Sequence, residues 1–195
     1  MAVSPEIEDA GRPRRRFTVE EYHRMAQAGV LGEDDRVELL DGEIVEMTPI
    51  GSAHASKVTR LNRLFVQQLD GRGVVWNQNP VRLDNQNEPE PDLAILEPRD
   101  DDYADELPGP SDVLLVVEVA ESSLEADRDV KVPLYAQAGI PAVWIVNLRD
   151  EVVEVYEEPT ESSGGYGVER VAREGDRVTV EGLSGFEVSV GEIFG

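Results

Sequence analysis

Apolar residues first recur at helical spacing at Tyr22, Met25 and Ala26, behind a Thr18 and Glu21 pair that forms a capping box. Phe17 ahead of it is a staple and Gly29 a natural stop, so the pattern predicts a short N-terminal helix. Residues 1–16 show no such period and contain Pro5 and Pro13, which makes them a flexible arm before a single domain over 17–195. Residues 36–40 and 43–47 are strand-like runs around Asp41-Gly42, a dipeptide that favours positive φ and hence a two-residue hairpin. Val58, Leu61, Phe65 and Leu69 then mark the buried side of a helix that Ser52 can cap, with Lys57, Arg60 and Arg63 on another arc.

Short strands are expected at Val74–Asn77, at 81–83 and at Leu93–Leu96, each broken by Pro, Gly or Asn. Val113–Ala120 is an almost continuous aliphatic run, the mark of a central strand buried on both faces. A helix over about 125–138 follows and is closed by Gly139 and Pro141; Pro133 inside it removes a backbone donor and predicts a kink or a late start. Strands at 142–148 and 152–156 complete a strand, helix, strand crossover, and the remainder reads as loops and edge strands. The sum is an α/β fold with α+β character: a central mixed β-sheet flanked by helices, preceded by a helix and a β-hairpin.

Composition narrows the partners. Forty-one acids against 18 bases give the 195-residue chain a formal net charge of -23, which repels a polyanion as a whole body. The surplus is lumpy, however. Residues 88–112 and 150–195 carry -18 of it, and the N-terminal portion is nearly balanced, opening with Arg12, Arg14, Arg15 and Arg16. Exposed charges are screened beyond ~8 Å at physiological ionic strength, so one face remains approachable. There is no cysteine, which removes disulfides, thiolate metal sites and cysteine nucleophiles together. With no long apolar run and no signal-like segment, the reading is a cytoplasmic protein with no membrane partner.

Because one residue in five is acidic, a pair of carboxylates carries little information here. Lysine is the rarer signal: Lys57 and Lys131 stand against 16 arginines. A lysine kept amid such bias suits a site that needs a compact ammonium rather than a planar fork, although an ordinary surface lysine is equally compatible with the composition. Glu118, near the end of the strongest buried-strand candidate, is costly to bury unless it is paired, protonated or bound to a metal. Asp92 opens another short strand. If the two strands are neighbours, Asp92 and Glu118 converge as oxygen ligands for a hard divalent cation such as Mg²⁺. The bland alternatives are a turn cap for Asp92 and a pair with Arg128 for Glu118.

These residues resemble a known family. Arg36-Val-Glu-Leu-Leu-Asp-Gly-Glu43, His54, Glu90-Pro-Asp92, Val117-Glu-Val119 with Ser122 and Ser123, Asp129-Val-Lys131-Val-Pro-Leu-Tyr135-Ala-Gln-Ala-Gly139-Ile-Pro141 and Trp144-Ile-Val follow one another as in the Uma-two restriction endonuclease family. That family belongs to the PD-(D/E)xK nuclease superfamily, and the similarity spans about 17–156. The resemblance implies a restriction endonuclease-like core. It makes Asp92 and Glu118 metal ligands, Lys131 the family's helix-borne lysine, and Glu38 an early glutamate near the metal. His54 corresponds to a histidine at the start of the family's helix, an accessory position. Ala120 stands where the superfamily pattern places lysine, so Lys131 must fold back toward the strand end.

The expected activity is therefore a Mg²⁺-dependent endonuclease on DNA, with Mn²⁺ able to stand in and a homodimer able to cut both strands. Its phosphate contacts would come from the arginine arm, the arc of Lys57, Arg60 and Arg63, and Arg82. No aromatic-rich basic stripe appears, so an extended single-strand stacking platform is not expected. The alternative is a catalytically inactive module of the same fold that binds a basic partner through its acidic surface. A two-carboxylate glycosidase ranks last, because it leaves Lys131 unused and lacks a row of aromatics.

Overall fold

The computed structural model describes residues 14–32, 34–160 and 164–195. Helix α1 (Val19–Gln27) starts at the capping box, with Thr18 and Glu21 each accepting the other's backbone N–H, and ends ahead of Gly29 at φ +70°. Strands β1 (Val37–Leu40) and β2 (Glu43–Glu46) pair antiparallel around Asp41 and Gly42, both at positive φ. Gly42 is required twice over, because a Cβ there would lie 2.7 Å from the Cβ of Arg16. The chain entering α1 is thus seated on the hairpin. Arg16 pairs with Asp41 and Glu43, each at 3.1 Å, Arg15 pairs with Glu21, and Arg14 reaches Glu43 at 3.5 Å. Residues 1–13 of the expected arm, Arg12 among them, lie outside the described residues.

Helix α2 (Ser52–Leu69) is capped by Gly51, with Ser52 its first residue. Strands β3 (Val74–Asn77), β4 (Leu93–Leu96), β5 (Val113–Ala120), β6 (Ala142–Asn147), β7 (Val152–Thr160) and β8 (Gly165–Ala172) form one six-stranded sheet in that order. Only β5 and β6 run parallel, joined by the helical crossover. Residues 81–83 are not a strand. Val81 and Leu83 are buried, yet their N–H groups go to the carbonyls of Pro89 and Asn87 within a loop.

Strand alternation sorts the core into two layers. Leu115, Val117 and Val119 of β5 face Leu61, Phe65 and Leu69 of α2, together with the short pair β9 (Arg177–Thr179) and β10 (Glu187–Ser189) and helix α5 (Val190–Phe194). Val116 and Ala120 face the other way, toward Val132, Tyr135 and Ala136. Glu118 shares that second parity, so the rule that buries β5 also aims its one carboxylate at the crossover. The crossover is α3 (Leu124–Ala126), a π-helical turn over Asp127–Lys131, and α4 (Val132–Gln137). Pro133 offers no N–H to the carbonyl four residues back, and the wide turn just before it, closed by Val132 N–H to the Asp127 carbonyl, takes up the break. Among the described residues no helix is long and apolar enough to cross a membrane.

Candidate active site

Leu93 pairs with Val117 in register, so the next residues outward, Asp92 and Glu118, are cross-strand neighbours at one end of the sheet. Asp92 is tied to that strand end: its Oδ2 accepts the Val119 N–H at 2.8 Å and contacts His54 Nε2 at 2.9 Å. The π turn carries Lys131 back over the same end, where Nζ lies 3.4 Å from Glu118 Oε1 and 3.0 Å from Glu38 Oε2. Glu38 Oε2 also accepts the Glu90 N–H at 3.1 Å. One pocket of about 380 Å³ is lined by Glu38, His54, Asp92, Glu118 and Lys131, and also by Glu90 and Asp127. The hairpin β1–β2 and residues 47–51 form its other wall.

The electrostatics follow from burial of many acids around one cation. Glu118 is 3% exposed and its carboxyl is pushed up to about 8, first by burial and then by Asp127, Asp92 and Glu38, against the opposing pull of Lys131. Burial also raises Asp127 and Glu90. Burial would strip the proton from Lys131, but the charges of Glu118, Glu38 and Asp127 outweigh it and raise its pKa, so the ammonium persists. Glu38 is the nearer counter-charge of Lys131, at 3.0 Å against 3.4 Å for Glu118.

Two residues that sequence reasoning left without a role complete the cluster. Tyr135 OH donates to Glu118 Oε1 at 2.7 Å, and Ser123 Oγ donates to Asp127 Oδ2 at 2.8 Å. Tyr135 stands four residues after Lys131 and so presents to the same side of the crossover. With both of its donors on Oε1, Glu118 has Oε2 without a hydrogen bond among the described residues. Tyr135→Phe should leave the fold intact and weaken Mn²⁺ binding about tenfold, the usual size of an orienting contact to a metal ligand. Calorimetric titration checks this, and unchanged affinity would remove Tyr135 from the site.

The donor set suits a hard divalent cation. Asp92 and Glu118 are cross-strand neighbours that line one pocket, and the surplus negative charge that raises Glu118 is what such an ion relieves. Among the described residues no group of three His, Asp or Glu side chains is arranged to hold an ion. Two carboxylates with water on the remaining positions is the arrangement Mg²⁺ prefers.

Other candidates from the sequence serve elsewhere. Arg128 pairs with Glu154 through two bonds of 2.7 and 2.5 Å rather than with Glu118. Lys57 and Arg60 donate to the carbonyls of Phe194 and Glu192 at the end of α5, and Arg63 remains exposed. Helix-end carbonyls attract cations, so two of the three cations expected on that arc to meet phosphates are engaged within the fold.

The model of the Uma2 family, described as "Putative restriction endonuclease", matches residues 19–191. A crystal structure described as "a putative nuclease belonging to DUF820" from Anabaena variabilis ATCC 29413 superposes with a TM-score of 0.70 at 14% identity. The match covers 91% of this chain and 97% of that one, and shows a shared fold. No curated protein matches the chain by sequence.

Proposed function

The chain belongs to the Uma2 family, and from that premise we propose that it is a Mg²⁺-dependent endonuclease that hydrolyses phosphodiester bonds of DNA. The observation that carries the reading is Lys131 Nζ lying between Glu38 and Glu118, in the pocket that Asp92 also lines. Asp92 and Glu118 would hold the cation, with Mn²⁺ able to replace it. When bound, the cation supplies Lewis acidity toward a phosphoryl oxygen and lowers the pKa of water.

The chain's own groups do the rest. Lys131 sets a fixed ammonium beside the strand end, where it stabilises an attacking hydroxide and the negative charge that grows on the phosphoryl oxygens. Glu38 holds that ammonium in place at 3.0 Å. His54 Nε2 and the Val119 N–H fix the Asp92 carboxylate, so it meets the ion without reorganising. Water gives up a proton to solvent as its oxygen adds to phosphorus, the bond to the leaving oxygen breaks, and that oxygen takes a proton from solvent.

Metal titration separates this enzyme from an inactive module of the same fold. Asp92→Ala should weaken Mn²⁺ binding by about a hundredfold, and Asp92→Asn, which keeps an acceptor for the Val119 N–H, should do nearly the same. Wild-type affinity in both variants would overturn the site.

A further inference from the structure

The nuclease reading leaves open the form in which a strand reaches the buried carboxylates, and the rim of the pocket bears on it. Val45, Ile50 and Val130 line that pocket and are 37%, 42% and 42% exposed. They are three of the six large hydrophobic side chains exposed among the described residues, gathered at one mouth. Single exposed aliphatics need no explanation, but a cluster over a polar floor marks a ligand with an apolar face.

The charged part of the rim sets a limit on that ligand. Asp41, Glu46 and Glu121 are exposed there. Arg16 is already paired with Asp41 and Glu43, whereas the Arg36 side chain makes one 3.4 Å bond to the Thr48 carbonyl among the described residues and exerts its charge on Glu90 without an ion-pair contact. A duplex carries one negative charge per about 1.7 Å of its axis, so laying one across this mouth sets both phosphate rows against the rim acids. A single strand brings about half as many charges per unit length. It also offers what a duplex keeps stacked, the flat face of a base. At about 380 Å³ the pocket lies near the small end of the range for ligand sites, a fit for one nucleotide rather than a pair.

We infer that nucleic acid enters this site as an unpaired strand, with the base beside the scissile phosphodiester resting on Val45, Ile50 and Val130 and Arg36 meeting a neighbouring phosphate. The inference rests on the nuclease reading. It needs no extended row of aromatics, since one base is held, and a chain that cuts one strand at a time does not need the second copy that duplex scission would.

The test is fluorescence anisotropy on the full chain in Ca²⁺, with a short labelled oligo-dT strand and a blunt duplex of equal length. The strand should bind about tenfold or more tighter than the duplex, with a shallow salt slope of about -1 to -2, as for one or two neutralised phosphates. Ile50→Trp should tighten strand binding about fivefold or more, a gain that a folding defect cannot imitate, and Ile50→Asp should weaken it comparably. Duplex binding equal to or tighter than strand binding overturns the inference, as does strand binding indifferent to both variants. Mn²⁺ titration of the same samples is read separately. A chain that takes the ion but prefers duplex loses this inference alone; one that binds the strand through Ile50 but takes no ion keeps the base site and loses the metal-nuclease reading.

Discussion

Lys131→Met is expected to reduce cleavage of DNA, read on a single-stranded oligonucleotide and on supercoiled plasmid alike, about a hundred- to a thousandfold, the usual loss when one preorganised group facing transition-state charge is removed. Mn²⁺ binding should survive, because methionine takes away a neighbouring positive charge and no metal ligand. The substitution also has a structural consequence. Glu38 and Glu118, 5% and 3% exposed, lose their shared cation. Removing one partner from a buried ion pair costs about 3–5 kcal/mol, so the variant should melt earlier than wild type in the absence of metal. A divalent ion replaces the missing positive charge, and Mn²⁺ should therefore raise the variant's melting temperature more than the wild type's. Measuring cleavage on protein shown by circular dichroism to be folded in Mn²⁺ separates chemistry from stability. Full activity would take Lys131 out of the reaction.

How much of this was readable beforehand depends on the kind of interaction. Local signals sufficed for α1, the hairpin and α2, whose determinants lie within a few residues: the Thr18 and Glu21 box, the Asp41-Gly42 turn, and the stripe from Val58 to Leu69. The central strand was legible because β5 has apolar residues at every position but one, and that exception is Glu118. Lysine scarcity drew attention to Lys131, and the structure brings it over the same strand end as Glu118.

Long-range partners stayed hidden. Lys57 and Arg60 looked like free cations on a helix arc, and nothing near them in sequence announces carbonyls more than 130 residues away. Residues 81–83 have the composition of a strand, but the Pro89 carbonyl takes the Val81 N–H that a ladder would use. Tyr135 and Asp127 escaped for a similar reason. They stand four residues to either side of Lys131, the spacing of one helix face, but nothing local in the sequence says that the strand end carrying Glu118 lies against that face. Glu90 was hidden by abundance, as one acid in a chain full of them.

The same surplus of acid makes stability depend on pH in an unusual direction. Glu118 has an ordinary value of 4.5 and is held at about 8 in the fold, so between those limits the folded chain keeps a proton that the unfolded chain releases. Stability is then greatest at the acidic end of that window and falls as pH rises through it. At about 1.4 kcal/mol per unit, Glu118 alone accounts for at most about 5 kcal/mol. Asp127 and Glu90, also raised by burial, act with the same sign. Asp101, held at about 2 by its bond to Arg99, loses its charge below the window and does not mask the effect. Glu118→Gln removes the titrating proton while keeping an acceptor for Tyr135. The variant should match wild type near pH 5 and exceed it by a few kcal/mol near pH 8 in urea denaturation. Adding Mn²⁺ at pH 8 should close that gap, since the ion stabilises ionised Glu118 and finds no second carboxylate in the variant. Wild-type stability that is flat or rising from pH 5 to 8, with the glutamine variant no better at pH 8, would mean that Glu118 is ionised and satisfied by Lys131 and Tyr135 alone, leaving no surplus charge for a metal to neutralise.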